Sequence, residues 1–293
     1  MTLDDLNAAT PADFVAAMGE VFEHAPWIAA QATAARPFAT VIALHAAMMA
    51  VLQAAVPETQ MAFLRGHPDL GGSVARRRAM AAFSVNEQAS AGLDQLDEAR
   101  FAAFERLNAA YTAKFAMPFL ICVRRHTRDS ILEQFAARLE RTPEAEQETA
   151  LGEIFRITRL RVAGLVNGPG MPATTGWLST HVLDTAGGRP VAGAAVELFE
   201  QNGSAWRQLC ATITNHDGRT DAPLISGGPL PIGRYELRFH VGPHFAASNP
   251  APAPDGPAFI DMVPVRFGIA DAEAHYHVPL LVSPWSYSVY RGS

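Results

Sequence analysis

The chain has 293 residues, long for one domain and sufficient for two that each bury a core. Hydrophobic residues make up 49% of it, which indicates a globular protein, and a net charge of −6 with no basic block or aromatic–basic interleaving argues against a nucleic-acid partner. No apolar run nears the roughly 20 residues of a membrane helix, residues 1–6 lack the features of a signal peptide, and two cysteines, Cys122 and Cys210, make neither a disulfide framework nor a metal cluster; a reducing cytoplasm is the expected location.

The first half reads with an apolar period near 3.6. Thr10-Pro11 ahead of Phe14, Val15, Met18, Val21 and Phe22 predicts a helix with Thr10 as N-cap, ended by Pro26. A second stripe takes Phe38, Val41, Ile42, His45, Met48, Met49 and Leu52, and His45 on that apolar face reads as a satisfied core histidine. Asp97 opens a third helix with Phe101, Phe104, Leu107, Tyr111 and Phe115, and Ile131, Leu132, Phe135 and Leu139 mark a fourth. Thr142-Pro143 caps a fifth, with Leu151, Ile154, Phe155 and Thr158 inward and Arg156, Arg159 and Arg161 complementing the dipole at its C-terminal end. The expectation is an all-α domain over residues 1–163.

Between these helices lie polar segments. His67 precedes Pro68, which biases it toward extended geometry. An imidazole on a rigid turn can face a cleft and titrates in the range of proton transfer, although an ordinary loop histidine is the plainer reading. Ser84-Val85-Asn86-Glu87-Gln88 reads as a solvated helix start, and Phe119-Leu120-Ile121-Cys122-Val123 after Pro118 as a buried wall.

Residues 164–176, rich in glycine and proline, predict an irregular linker with a boundary near residue 170. The apolar period then becomes two. Leu178-Ser179-Thr180-His181-Val182-Leu183-Asp184 has strand composition, and short runs at 196–200, 209–214, 235–241, 259–267 and 276–282 complete an antiparallel sandwich over residues 177–293. Glu236, Arg238 and His240 read as the solvated face of their strand, and 243–257 as a proline-rich surface loop. His275 and His277 share a face by strand parity. Asp217-Gly218 marks a tight turn that leaves His216 on the surface and Arg219 open to either reading.

Six weak motifs stand in one order: Phe22-Glu23-His24-Ala25-Pro26-Trp27, His67-Pro68-Asp69-Leu70, Ser84 to Gln88 with Ala91-Gly92-Leu93, Leu107-Asn108-Ala109-Ala110-Tyr111, Lys114-Phe115 with Pro118-Phe119, and Glu153-Ile154 with Leu160-Arg161. Together they resemble the 2-oxo-4-hydroxy-4-carboxy-5-ureidoimidazoline (OHCU) decarboxylases. The resemblance implies that His67 donates a proton and that Pro68, Ser84, Val85, Asn86, Glu87, Gln88, Phe119, Leu120, Ile121, Cys122 and Val123 bind substrate. Arg125 stands where that family often has glycine, in the loop leading to the fourth helix.

The second half resembles the 5-hydroxyisourate hydrolases of the transthyretin-related family. The resemblance rests on residues 178–184, on His275-Tyr276-His277-Val278-Pro279-Leu280-Leu281, and on the final Tyr290-Arg291-Gly292-Ser293, which sets the hydrolases apart from the hormone carrier of the same fold. It implies catalytic roles for His181, Arg219 and His277, substrate contacts from Tyr290 and Ser293, and four sandwiches associated with sites between dimers.

No cofactor is expected, because loss of CO2 leaves a stabilised carbanion that needs one positioned acid. No metal is expected either, since His181 with His275-x-His277 lacks the sequence context of zinc hydrolases. The expected activity is bifunctional: 5-hydroxyisourate is hydrolysed to OHCU, and OHCU is decarboxylated to (S)-allantoin. Two alternatives stand beside it. Either one half alone is active, or the chain is a transthyretin-like binding module with a helical oligomerisation domain, against which His181, Arg219, His277 and the terminal tetrapeptide speak. The expected partners are small-molecule substrates and further copies of the chain, a tetramer through the β half with dimer contacts through the helical half.

Overall fold

The computed structural model describes residues 1–71, 81–248 and 258–292 and divides into two units, Met1–Arg124 with Ser130–Thr174 and Arg125–Asp129 with Thr175–Ser293. Caps and prolines set where the helices of the first unit begin. α1 (Leu3–Ala8) starts with a reciprocal cap: the Asp5 amide donates to the Thr2 hydroxyl and the Thr2 amide to the Asp5 carboxylate. α2 (Pro11–Met18) starts at Thr10 as expected. Pro26, however, does not end this helix. It opens α3 (Pro26–Ala32), where the missing proline N–H is a donor that would have no partner anyway. Val21 and Phe22 stay buried in the link between the two helices.

Thr40 caps α4 (Val41–Ala54), which is followed by α5 (Pro57–Arg65) and α6 (Ala82–Ser90). Asp97 caps α7 (Glu98–Phe115); α8 (Arg128–Leu139) and α9 (Pro143–Leu165), the latter capped by Thr142, complete the described helices of the first half. The core is aromatic: Phe14, Phe22, Phe104, Tyr111, Phe119 and Phe135 are fully buried, and the rings of Phe119 and Phe135 stack 3.6 Å apart. Burying each such side chain is worth about 1.5–3 kcal/mol.

Ile42, Phe101 and Phe155, expected inward, are exposed. α9 shows the reason. Its buried stripe runs through Ala150, Glu153, Ile154, Thr158, Arg161 and Val162, so charged residues occupy positions that an apolar pattern assigns to the core. Reading only its apolar residues rotates the face toward Phe155.

Residues 166–174 form no helix or strand, yet they are bound to the first unit. Asn167 O accepts from the Leu3 amide, and Pro169 O and Gly170 O accept from the amides of Val41 and Ile42. These are helix-start donors with no partner inside their own helices. The approach needs glycine: a Cβ on Gly168 would lie 2.8 Å from Leu3 Cβ, and one on Gly170, at φ +62°, 2.6 Å from Thr40 Cβ.

The second unit packs two sheets around one core that includes Leu178, Val182, Val196, Leu198, Leu237, Phe239, Tyr276, Val278 and Leu280. Its elements are β1 (Gly176–Asp184), β2 (Arg189–Pro190), β3 (Ala195–Asn202), β4 (Ala205–Ile213), β5 (Ile225–Gly228), β6 (Gly233–His240), α10 (Gly242–Ser248), β7 (Met262–Ile269), β8 (His275–Val282) and β9 (Tyr287–Val289). One sheet has the order β2-β1-β8-β9 with β5 also on β1; the other has the order β4-β3-β6-β7. All pairs are antiparallel except β1–β8, which runs parallel with Ser179 opposite His277.

Two local expectations change here. Glu236 is buried rather than solvated, because its carboxylate accepts from Arg238 Nε and Arg266 Nε, both at 2.7 Å. The expected surface loop from residue 243 begins as α10, and the strand expected from Phe259 begins at Met262.

Candidate active sites

In the first unit, α5 ends at Gly66 and delivers His67 to a cavity lined by Pro68, Leu70, Ser84, Glu87, Gln88, Phe119, Leu120, Ile121, Val123, Ile157 and Arg161. The His67 ring stands edge-on to Phe63 at 4.8 Å, and its Nδ1 lies 3.0 Å from Phe63 O. A carbonyl oxygen only accepts, so Nδ1 carries the hydrogen and the neutral ring keeps a bare Nε2. Burial pushes the His67 pKa down to about 4, against an opposing pull from the Glu23 carboxylate.

Behind the cavity is a network that sequence reading missed. Arg161 sends Nε and Nη2 to the two oxygens of Glu87 at 2.9 and 2.8 Å, Nη2 also to Ser84 Oγ, and Nη1 to Val21 O and Glu23. The dipole role expected for this arginine is therefore wrong: it is buried and holds α6 to the Glu23 segment. Burial alone would raise the Glu23 pKa, but hydrogen bonds from Ser84 Oγ and the Ala81 amide, with the charge of Arg161, hold it below the usual carboxylate range. Gln88 is engaged as well, accepting from the Gly71 amide and donating to Asp69 O, so its amide shapes the loop after His67.

The 119–123 wall is fixed from outside by two charged side chains. Arg138 Nη1 donates to Leu120 O at 2.8 Å, and the Cys122 amide donates to Glu153 Oε2 at 2.9 Å. Arg138 is itself paired with buried Glu146 and lies over the Phe119 ring. Of the expected residues, Val85 and Asn86 point outward from α6 and Cys122 is absent from the lining. The others converge. The missed residues Glu23 and Arg161 lie 138 positions apart, and only their place in the ordered motifs hinted at them.

In the second unit, odd-numbered residues of β1 face outward, which puts Trp177, Ser179 and His181 in a row. The parallel register sets His275 and His277 of β8 beside Trp177 and Ser179. Ser179 Oγ lies 2.9 Å from His275 Nε2 and 2.9 Å from His277 Nδ1. Trp177 stacks on His275 with ring centroids 4.8 Å apart.

Arg219 arrives on a turn in which Asn215 Oδ1 accepts from the amides of Asp217 and Arg219. That turn docks on β1: the Val182 amide donates to Gly218 O, and His181 Nε2 donates to Asp217 O at 2.8 Å. Gly218 permits the approach, since at φ +73° a Cβ would lie 2.4 Å from Val182 O. The terminal segment closes the other side, with the Gly292 amide donating to His277 O. A Cβ on Gly292 would lie 2.7 Å from His277 Cδ2.

Burial and then the charge of Arg219 lower the pKa of both His181 and His277, so both rings are neutral near neutral pH. Their lone pairs are available to take a proton, and Arg219 makes no ion pair among the described residues. Tyr290 is exposed, and Ser293 lies outside the described residues. The expected His181, Arg219 and His277 are thus brought together, with Ser179, Trp177 and His275 as further members. Strand parity was the available signal for these.

Two family models match separate stretches of the chain. The OHCU decarboxylase family model matches residues 7–163, and the HIUase/transthyretin family model matches residues 178–292. 5-Hydroxyisourate hydrolase 2 of Rhizobium meliloti is 54% identical over 120 residues, 41% of this chain and 98% of that protein. 2-Oxo-4-hydroxy-4-carboxy-5-ureidoimidazoline decarboxylase of Haloferax volcanii is 39% identical over 163 residues, 56% of this chain and 95% of that protein. A crystal structure of (S)-allantoin synthase aligns over the full length of both chains with 31% identity and a TM-score of 0.51.

Proposed function

Because the chain belongs to the OHCU decarboxylase family over residues 7–163 and to the HIUase/transthyretin family over residues 178–292, we propose that its two units perform successive steps of urate degradation. The β unit hydrolyses 5-hydroxyisourate to OHCU, and the helical unit decarboxylates OHCU to (S)-allantoin. The observation that carries the reading is the convergence of His181, His275 and His277 with Arg219 on one sheet face, in a chain that also sets His67 in a separate cavity beside the Glu87–Arg161 pair.

In the hydrolase, a neutral imidazole takes a proton from the attacking water, for which His277 is our assignment. Arg219, planar and always charged, orients the oxidised purine and stabilises the oxyanion that forms at the attacked carbonyl. His181 is held by Asp217 O, which leaves its Nδ1 facing away from that carbonyl as a second base or acid. In the decarboxylase, the C–CO2 bond breaks with its electron pair left on the ring carbon, and one proton must then reach that carbon. Burial keeps His67 neutral, so it takes its proton up as the anionic substrate binds and delivers it from Nε2 to one face. The apolar wall at 119–123 favours departure of neutral CO2 over retention of a carboxylate.

Association with further copies belongs to the same proposal, with a tetramer through the β unit and dimer contacts through the helical one. It is supported by aromatic side chains left open along the terminal segment of the β unit: Trp285 is 72% exposed, Tyr287 51% and Tyr290 54%. Two free cysteines suit a reducing compartment.

The test is to generate 5-hydroxyisourate with urate oxidase and follow ultraviolet absorbance and optical activity. The parent protein should accelerate both steps, while His67→Ala should leave hydrolysis intact and lower formation of optically pure (S)-allantoin at least a hundredfold. A decay of hydroxyisourate no faster than the spontaneous one would instead identify a binding module.

A further inference from the structure

Ser179 stands between two imidazoles, and a hydroxyl has only one proton to give. Its Oγ is 2.9 Å from His275 Nε2 and 2.9 Å from His277 Nδ1. If His277 is to offer a bare Nε2 to water, its hydrogen must sit on Nδ1 and be donated to Ser179. Ser179 then donates to His275 Nε2, and His275 keeps its own hydrogen on Nδ1. The reverse arrangement moves every one of these hydrogens. The two histidines therefore do not choose their tautomers independently.

We propose that Ser179 is a positioning residue of the hydrolase, which fixes the reactive tautomer of His277 and couples it to His275 as a two-histidine proton relay. This rests on the hydrolase reading of the β unit. When His277 Nε2 takes a proton from the attacking water, its Nδ1 proton passes to Ser179 Oγ while the Oγ proton passes to His275 Nε2. No atom or electron pair is gained or lost: the positive charge has moved from His277 to His275, and His277 now carries its hydrogen on Nε2. As the leaving nitrogen takes that hydrogen, the same two transfers run backward and restore the starting state.

The surroundings favour this direction of charge movement. The titratable and charged groups facing His277 are His181 on β1, Arg219 on the 215–219 turn and His275 on its own strand. Arg219 opposes a positive charge on His277. On the terminal segment, Arg291 lies over the Tyr276 ring. His275, in contrast, lies against the face of Trp177 at 4.8 Å, and an indole face attracts a cation. Outside this chain of contacts a serine has little reason to stand here, since a half-exposed outer position of a strand accepts β-branched residues more readily.

The experiment compares Ser179→Val with Ser179→Thr, two side chains of one shape that differ in the hydroxyl. Hydroxyisourate hydrolysis is measured as kcat and KM across pH, and the ring nitrogens of His277 are read by 15N NMR in the full chain. Ser179→Val should lower kcat at least about tenfold with KM changed less than about twofold. It should also release His277 from the Nδ1–H form that the parent shows. Ser179→Thr should restore most of kcat and the parent spectrum. Parent-like kcat in Ser179→Val, a Ser179→Thr variant no better than Ser179→Val, or a parent His277 protonated on Nε2 would each overturn the relay. Undiminished decarboxylation in the same samples shows that the helical unit is folded, and a parent-like strand signal in circular dichroism shows that the β unit is. If the parent protein itself does not accelerate hydroxyisourate decay, the hydrolase reading falls instead, so the two failures are distinguishable.

Discussion

His45, His67 and His277 carry the same side chain to three different ends. His45 is buried on α4, where its Nε2 is 2.8 Å from Thr158 Oγ1 and its ring packs on Phe155. Thr158 donates onward to Ile154 O, so the histidine is the donor in that pair. Its place on an apolar stripe made this role legible in the sequence. Burial, with a smaller push from Arg159, lowers the His45 pKa from 6.5 to about 4. The unfolded chain therefore binds one more proton than the folded one between these values. Stability from the neutral ring is complete above the unfolded pKa and drains away as pH falls toward the folded one. His45→Leu removes this proton. Between about pH 7 and about pH 5 the parent should lose roughly 2 kcal/mol more stability than the variant, read by urea unfolding at both pH values. Equal losses would show that His45 is not the group that titrates.

At the scale of elements, the helix starts were legible because a cap is a local matter: Thr10, Asp97 and Thr142 each accept an amide three residues on. Burial was less legible wherever a charge replaces an apolar residue on an inner face, as Arg161 does on α9 and Glu236 on β6. Each is satisfied by partners brought in by the fold, and apolar periodicity carries no record of them. The last segment of the chain has a share in both fold and site. β9 pairs Val289 with Leu280, and the segment after it reaches back to His277 through Gly292. A chain ending at Val289 keeps the paired strand and should stay folded by circular dichroism. Its hydrolase activity should be lost, because Tyr290 and the support of His277 go together, while decarboxylation persists. Full hydrolysis by that shortened chain would remove the terminal segment from the site.

At the scale of the whole molecule, one polypeptide joins an OHCU decarboxylase unit to a HIUase/transthyretin unit, whose reactions run in series. The variants that silence them should therefore complement each other. His67→Ala supplies OHCU by hydrolysis, and Arg219→Lys, which keeps a charge but loses the planar fork, retains decarboxylation. Mixed in equal amounts they should form (S)-allantoin after a lag, followed as optical rotation, although neither does so well alone. No recovery from two variants that each keep their own half-reaction would mean that the intermediate has to be used by the chain that made it.

The carbonyls that Asn167, Pro169 and Gly170 turn toward Leu3, Val41 and Ile42 decide where the helical half can be excised as a working piece. A cut after residue 163 looks natural, because glycine and proline crowd the stretch that follows. It would strip three helix-start amides of their acceptors and uncover the Leu3 and Thr40 side chains against which Gly168 and Gly170 lie. The stretch that resembles a tether is the last clasp of the first unit, and a separately expressed decarboxylase needs it through Thr174.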